Sequence, residues 1–209
     1  MEGDIFHILN RGVEKRKIFL EEKDYLHFIN NLSDFNSIEP VFEPYFDRRK
    51  YLAMRKPGNK IIDILCWCLM PNHYHILVQE KINGGASIFA KKISSGYTQY
   101  FNLKNKIIGV LFQGRSKIIL AEKEEHFILL PYYIFANPVK LIEPHWKEVG
   151  IKNLKKVYQF LENYKWSSFT EAANLNNHFT LINKKLFVEL FDLEEKKLKD
   201  IFFEWLDNQ

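Results

Sequence analysis

The chain has 209 residues, 30 Lys+Arg against 26 Asp+Glu for a formal net charge of +4, with 46% hydrophobic and 15% aromatic residues, 9 Gly and 7 Pro. That balance belongs to a folded globular protein and excludes a disordered tail, a collagen-like repeat and a coiled coil. No apolar run approaches the roughly 20 residues that span a bilayer, and Met1-Glu2-Gly3-Asp4 lacks the basic and apolar regions of a signal peptide. Cys66 and Cys68 lie too close in sequence to pin a fold, so a cytoplasmic protein with no membrane partner is expected.

Taken in chain order, Asp4 to Asn10 reads as a strand that is apolar on both faces, as a central covered strand would be. Glu21 to Leu32 has helical spacing, with Tyr25, Phe28, Ile29 and Leu32 on one stripe. From residue 36 to 60 the pattern degrades into three prolines and the basic runs Arg48-Arg49-Lys50 and Arg55-Lys56, which reads as an insertion or loop. Ile61 to Leu69 and His73 to Gln79 are strands joined by a turn at Met70-Pro71-Asn72. Ser87 to Leu103 reads as a helix, Phe112 to Leu120 as a strand, and Glu122 to Ala136 as a helix closed by Asn137-Pro138. A short helix around Leu154 to Leu161, a turn at Trp166-Ser167-Ser168 and a helix from Leu193 to Leu206 follow.

Strand, helix, strand, strand, helix, strand is the order of a split βαβ arrangement, an antiparallel sheet with helices on one face. The expected class is therefore α+β. Residues 1–140 form the main domain, and 141–209 a C-terminal helical extension packed on it.

Charge is unevenly spread. From Lys81 to Leu120 there is no Asp or Glu, while Lys81, Lys91, Lys92, Lys104, Lys106, Arg115 and Lys117 fall in that segment. Arg11, Lys15, Arg16 and Lys17 form a second basic group after the first strand. A basic segment interleaved with Tyr97, Tyr100, Phe101, Phe112 and Gln113 suits a phosphate backbone, although a solvated basic face has the same composition.

His73 and His75 alternate on a strand, so their imidazoles share a face and can reach one metal ion. With a turn at residues 69–72, Cys68 would face His73 and Cys66 would face His75, which raises a two-Cys, two-His zinc site. Cross-strand Cβ spacing of about 5 Å and along-strand spacing of nearly 7 Å make that set a flat rectangle, poorly matched to tetrahedral zinc. Buried small hydrophobes is the other reading of the two thiols.

Leu69-Met70-Pro71-Asn72-His73-Tyr74-His75-Ile76-Leu77-Val78 resembles the signature of transposase-like, single-tyrosine nucleases of the HUH endonuclease class. Asn10-Arg11-Gly12, Phe112-Gln113-Gly114-Arg115, Tyr133-Ile134-Phe135-Ala136-Asn137-Pro138-Val139 and Trp166-Ser167-Ser168-Phe169 match in the same order. Together they are most similar to the REP-associated tyrosine transposases, over about residues 4–170. The resemblance implies a ferredoxin-like core and cleavage and rejoining of single-stranded DNA beside a hairpin or palindromic element, through a 5′-phosphotyrosine. It implies Tyr133 as nucleophile, His73, His75 and Asn137 as ligands of Mg²⁺ or Mn²⁺, and a monomer or homodimer. Arg11, Lys91, Lys92, Arg115 and Lys117 are then the candidates for DNA contact, and Tyr97 and Tyr100 for base stacking. Two other readings stay open: a hairpin-binding or regulatory protein without cleavage, and a small basic RNA-binding domain.

Overall fold

A computed structural model of the chain describes residues 1–39, 60–121, 125–175, 178–193 and 198–209. The expected insertion at 36–60 falls largely outside the described residues. The first half runs β1 (Ile5–Arg11), α1 (Glu22–Asp34), β2 (Ile62–Met70), β3 (His73–Glu80), α2 (Gly85–Asn105), β4 (Lys117–Leu120) and α3 (Glu125–Ala136). The sheet order is β2-β3-β1-β4, with every neighbouring pair antiparallel. This is the ferredoxin-like order, and it places the doubly apolar β1 inside the sheet, as its composition requires.

Helices cover both faces of this sheet, not one. On one face Tyr74 is wholly buried, its ring 4.9 Å from Phe28 of α1 and its hydroxyl 3.1 Å from Ser94 of α2. Residues of the opposite parity, His73 and His75 among them, look toward α3 and the chain that follows it. Strands apolar on both sides need cover on both sides, and the C-terminal third supplies the second layer.

That third contains α4 (Trp146–Val149), α5 (Leu154–Asn163), α6 (Phe169–Ala172), α7 (Lys184–Leu190) and α8 (Leu198–Asp207). It shares one apolar core with α3: the Phe135 ring lies 5.6 Å from Phe169, 6.3 Å from Phe187 and 6.0 Å from Phe202. The expected turn at Trp166-Ser167-Ser168 does more than reverse the chain. Leu69 N–H donates to the Trp166 carbonyl at 2.8 Å, Ser168 N–H to the Trp67 carbonyl at 2.9 Å, and Ser168 Oγ accepts from Trp67 N–H at 2.8 Å. These bonds close the edge of β2, which explains why every residue of that edge strand is buried. Ser168→Ala leaves the Trp67 amide without this acceptor in a dry setting, and a loss of about 1–3 kcal/mol in urea unfolding is expected.

The start of the last strand differs from that read in the sequence. β4 is confined to Lys117–Leu120, because Gly114 at φ 153 carries the chain out of strand geometry and Asn10 Nδ2 donates to its carbonyl at 3.0 Å in place of a ladder bond. α3 runs over Pro131 and ends at Ala136 as expected, and Asn137-Pro138 closes it by opening a 3₁₀ turn, Asn137–Leu141. The hairpin register also differs. The turn is only Pro71-Asn72, so Met70 pairs with His73 and Cys68 with His75, and a bulge between Ile64 and Cys66 sets Cys66 opposite Leu77. Both thiols are fully buried, and burial pushes them well above their usual range. The four-ligand zinc arrangement is therefore overturned, and the cysteines act as small core residues. Among the described residues, no helix is long and apolar enough to cross a membrane.

Candidate functional site

β3 presents His73 and His75 on one face with ring centroids 5.1 Å apart and planes at 85°. Each ring is anchored through the same nitrogen. His73 Nδ1 lies 2.6 Å from Asn72 Oδ1 in the hairpin turn, and His75 Nδ1 lies 2.9 Å from Nε2 of His7 on β1. In both rings Nε2 is left as the nitrogen outside these bonds.

The 3₁₀ turn after α3 brings Asn137 to this face, where its side chain is among the groups that act on the His73 ring. Its Nδ2 donates to the Tyr133 carbonyl at 2.9 Å and to the Ile134 carbonyl at 3.4 Å, so the amide oxygen is what Asn137 has left to offer. Tyr133 itself is 39% exposed. The Trp205 ring of α8 meets it edge-on at 5.1 Å, and the Lys147 ammonium stands 5.7 Å over its centroid. The neighbouring Tyr132, 6% exposed, packs on Phe202 and Trp205 in the core. Of two adjacent tyrosines, only Tyr133 reaches outward from the helix.

The surroundings are cationic. Arg11 pairs with His73 across the sheet, and Arg11 and Lys140 act on the His73 ring, while His7, His73, Arg11 and Lys147 act on His75. Burial first, and these charges second, pull His73 down to about 4 and His75 well below the ordinary imidazole range. Burial alone takes His7 down to about 4. An unfolded histidine titrates near 6.5. Between about 4 and that value the unfolded chain holds the extra protons, so stability rises with pH; it is fully present above about 6.5 and drains away toward pH 4. Urea midpoints measured at pH 7.5, 5.5 and 4.5 are expected to fall in that order, and His7→Gln to flatten part of the slope.

The donor set suits a divalent cation. Among the described residues there is no group of three or more His, Cys, Asp or Glu side chains that could hold a metal ion, so a site here depends on two imidazoles and an amide. The imidazoles are neutral at pH 7, as ligands must be, and their Nδ1 atoms already have partners that orient the rings.

The expected DNA contacts divide into three groups. Arg11 lies beside His73, and Lys117, exposed on β4 and paired with Leu9, shares the parity of His75. Lys91 and Arg115 sit across the sheet, lining a groove of about 920 Å³ with Ser87, Ser94, Ser95 and Thr98; among the described residues, no acidic side chain lines it. Lys92 instead donates to the carbonyls of Ser37, Ile38 and Glu39, tying α2 to the chain after α1. The stacking role expected of Tyr97 is overturned, because the ring is wholly buried and its hydroxyl donates to the Ile18 carbonyl at 2.6 Å. Tyr100 is half-buried, with one face covered by His27 at 3.7 Å and its hydroxyl donating to Asp24 at 3.0 Å. Ser116 joins Tyr74 and Ser94 on the face away from the histidines.

His7, Lys140, Lys147 and Trp205 were not singled out by sequence reasoning. Strand parity alone assigned His7 to a face of β1, but its partner depends on the register with β3; the other three arrive from chain that carries no motif.

No protein-family model matches the sequence, and no curated protein matches it. Among solved structures, the chain is similar to a REP-associated tyrosine transposase bound to a REP hairpin, with a TM-score of 0.50 and 17% sequence identity over 83% of this chain and 81% of that one. At that identity the likeness is one of fold.

Proposed function

We propose that this chain binds DNA hairpins and cleaves and rejoins adjacent single-stranded DNA, with Tyr133 as nucleophile and His73, His75 and Asn137 holding Mg²⁺ or Mn²⁺. One arrangement carries this reading: Asn137, among the groups that act on the His73 ring, also donates to the Tyr133 carbonyl at 2.9 Å, which joins the sheet histidines to the helix that bears an outward phenol. The fold shared with a hairpin-bound transposase supports it.

When bound, the cation would polarise the scissile phosphodiester and neutralise charge on its oxygens. Arg11, Lys140 and Lys147 supply a positive setting in which a phosphate can dock. A phenol titrates near 10 and is a weak nucleophile when neutral; the Lys147 ammonium stands over the Tyr133 ring, where it can meet the incoming phosphate. Attack forms a phosphorus–oxygen bond to Tyr133, whose phenol proton passes to solvent, as the bond to the 3′-oxygen breaks; that oxygen takes a proton from solvent and leaves as a hydroxyl. One phosphoester replaces another, so rejoining needs no nucleotide triphosphate.

Incubation of the protein with single-stranded hairpin DNA and Mn²⁺ should give a covalent product, abolished by chelation, whose DNA maps by peptide mass spectrometry to Tyr133. Tight hairpin binding with no covalent product would leave DNA binding and remove the catalytic claim; attachment at another tyrosine would refute the residue.

The groove across the sheet supplies backbone contacts in the same reading. Lys91→Glu combined with Arg115→Glu is expected to weaken hairpin binding about tenfold or more and to reduce the salt slope by about 2, read by fluorescence anisotropy across a salt series.

A further inference from the structure

We infer that His7 is a positioning residue: its Nε2 accepts the Nδ1 proton of His75 across the β1–β3 pair, which fixes the His75 tautomer and turns its Nε2 lone pair outward for a cation. This inference rests on the proposed function for its use, but its geometry stands apart from it.

The two rings are nearly parallel, at 23° and 5.1 Å between centroids, with the nitrogens 2.9 Å apart. One proton lies between them, and the choice of which ring owns it decides what His75 can do. If His7 donated, His75 would carry its own proton on Nε2 and could not ligate through that atom. The other groups acting on His75 are His73, Arg11 and Lys147, and the last two are proton donors only. With the shared proton on His75 Nδ1, the 2.9 Å contact leaves Nε2 a lone pair, the form that a ligand to a cation needs. His73 solves the same problem differently: its Nδ1 is held by Asn72 Oδ1, an acceptor whose role is fixed by chemistry. The two ligand candidates thus have unlike supports, an amide oxygen for one and a third histidine for the other.

The test is imidazole ¹⁵N NMR on the metal-free protein, followed by Mn²⁺ titration calorimetry. In the wild type, His75 is expected to carry its proton on Nδ1. In His7→Ala it is expected to shift toward the Nε2–H form that isolated histidine prefers, and Mn²⁺ affinity to fall roughly 10–100-fold. His7→Gln restores an acceptor and is expected to recover most of that loss. A wild-type His75 protonated on Nε2 overturns the inference, and this spectrum needs no variant. An unchanged tautomer and unchanged Mn²⁺ affinity in His7→Ala overturn it as well. Absence of covalent DNA product alongside the expected tautomer would sink the nuclease reading and leave His7 in its role.

Discussion

Tyr133→Phe is expected to lower covalent-product formation by at least about a thousandfold, equivalent to about 4 kcal/mol of barrier. The hydroxyl lost is the atom that would bond to phosphorus, and no neighbouring side chain can substitute for it: Tyr132 is turned into the core against Phe202 and Trp205. The Phe ring can keep the edge contact with Trp205 and the cation contact with Lys147, so the fold and hairpin affinity should change by no more than about twofold. Tyr132→Phe is the matched control. It should leave the product rate close to wild type, because its ring sits in packing against Phe202 and Trp205. Single-turnover assays on labelled hairpin DNA, run beside anisotropy binding curves, separate the two effects. Equal losses in both variants would mean that the helix, not the phenol, had been disturbed.

Asp24→Ala is expected to cost about 3–5 kcal/mol in urea unfolding at pH 7, the range for removing one partner of a buried ionic network. Asp24 is 0% exposed and sits at the start of α1, where its carboxylate accepts from Leu20 N–H at 2.8 Å, Glu21 N–H at 3.1 Å and Tyr100 O–H at 3.0 Å, and pairs with Lys104 of α2. It therefore caps one helix and clamps it to the next. Burial alone would raise its carboxyl, but Lys104, the two amides and the phenol together hold it below the usual carboxylate range. The folded value lies under the unfolded one, so its contribution is complete above the unfolded value and is lost as pH falls through the depressed folded value. Asp24→Asn, which keeps an acceptor but not the charge, should fall between wild type and Asp24→Ala. The Lys104 ammonium is raised by the same pairing, burial opposing it.

Much of the scaffold is legible from local pattern. Period-two alternation put His73 and His75 on one face, and continuous apolar character made β1 an interior strand. The i, i+4 spacing of Tyr133 and Asn137 set the phenol and the amide one helical turn apart. These are statements about residues a few positions apart, and backbone geometry enforces them whatever the rest of the chain does.

Contacts between distant segments are not of that kind. The hairpin register turned on whether two or four residues made the turn, and a bulge at Leu65 then changed the partner of Cys66. Lys92 looks like any surface lysine in sequence, yet finds three carbonyls from the chain just after α1. Tyr97 has the composition of a stacking residue and the position of a core one.

The order of the elements, the strand face of the histidine pair and the helix position of the phenol therefore belong to the amino-acid sequence alone, because each follows from the chain's own repeat. Three-dimensional packing was needed to bring the C-terminal third over the second face, to set His7 against His75, and to charge the space around them with Lys140 and Lys147. Those outcomes depend on how apolar surfaces far apart in the chain are buried against each other, and that long-range packing leaves no periodic trace in the residues that undergo it.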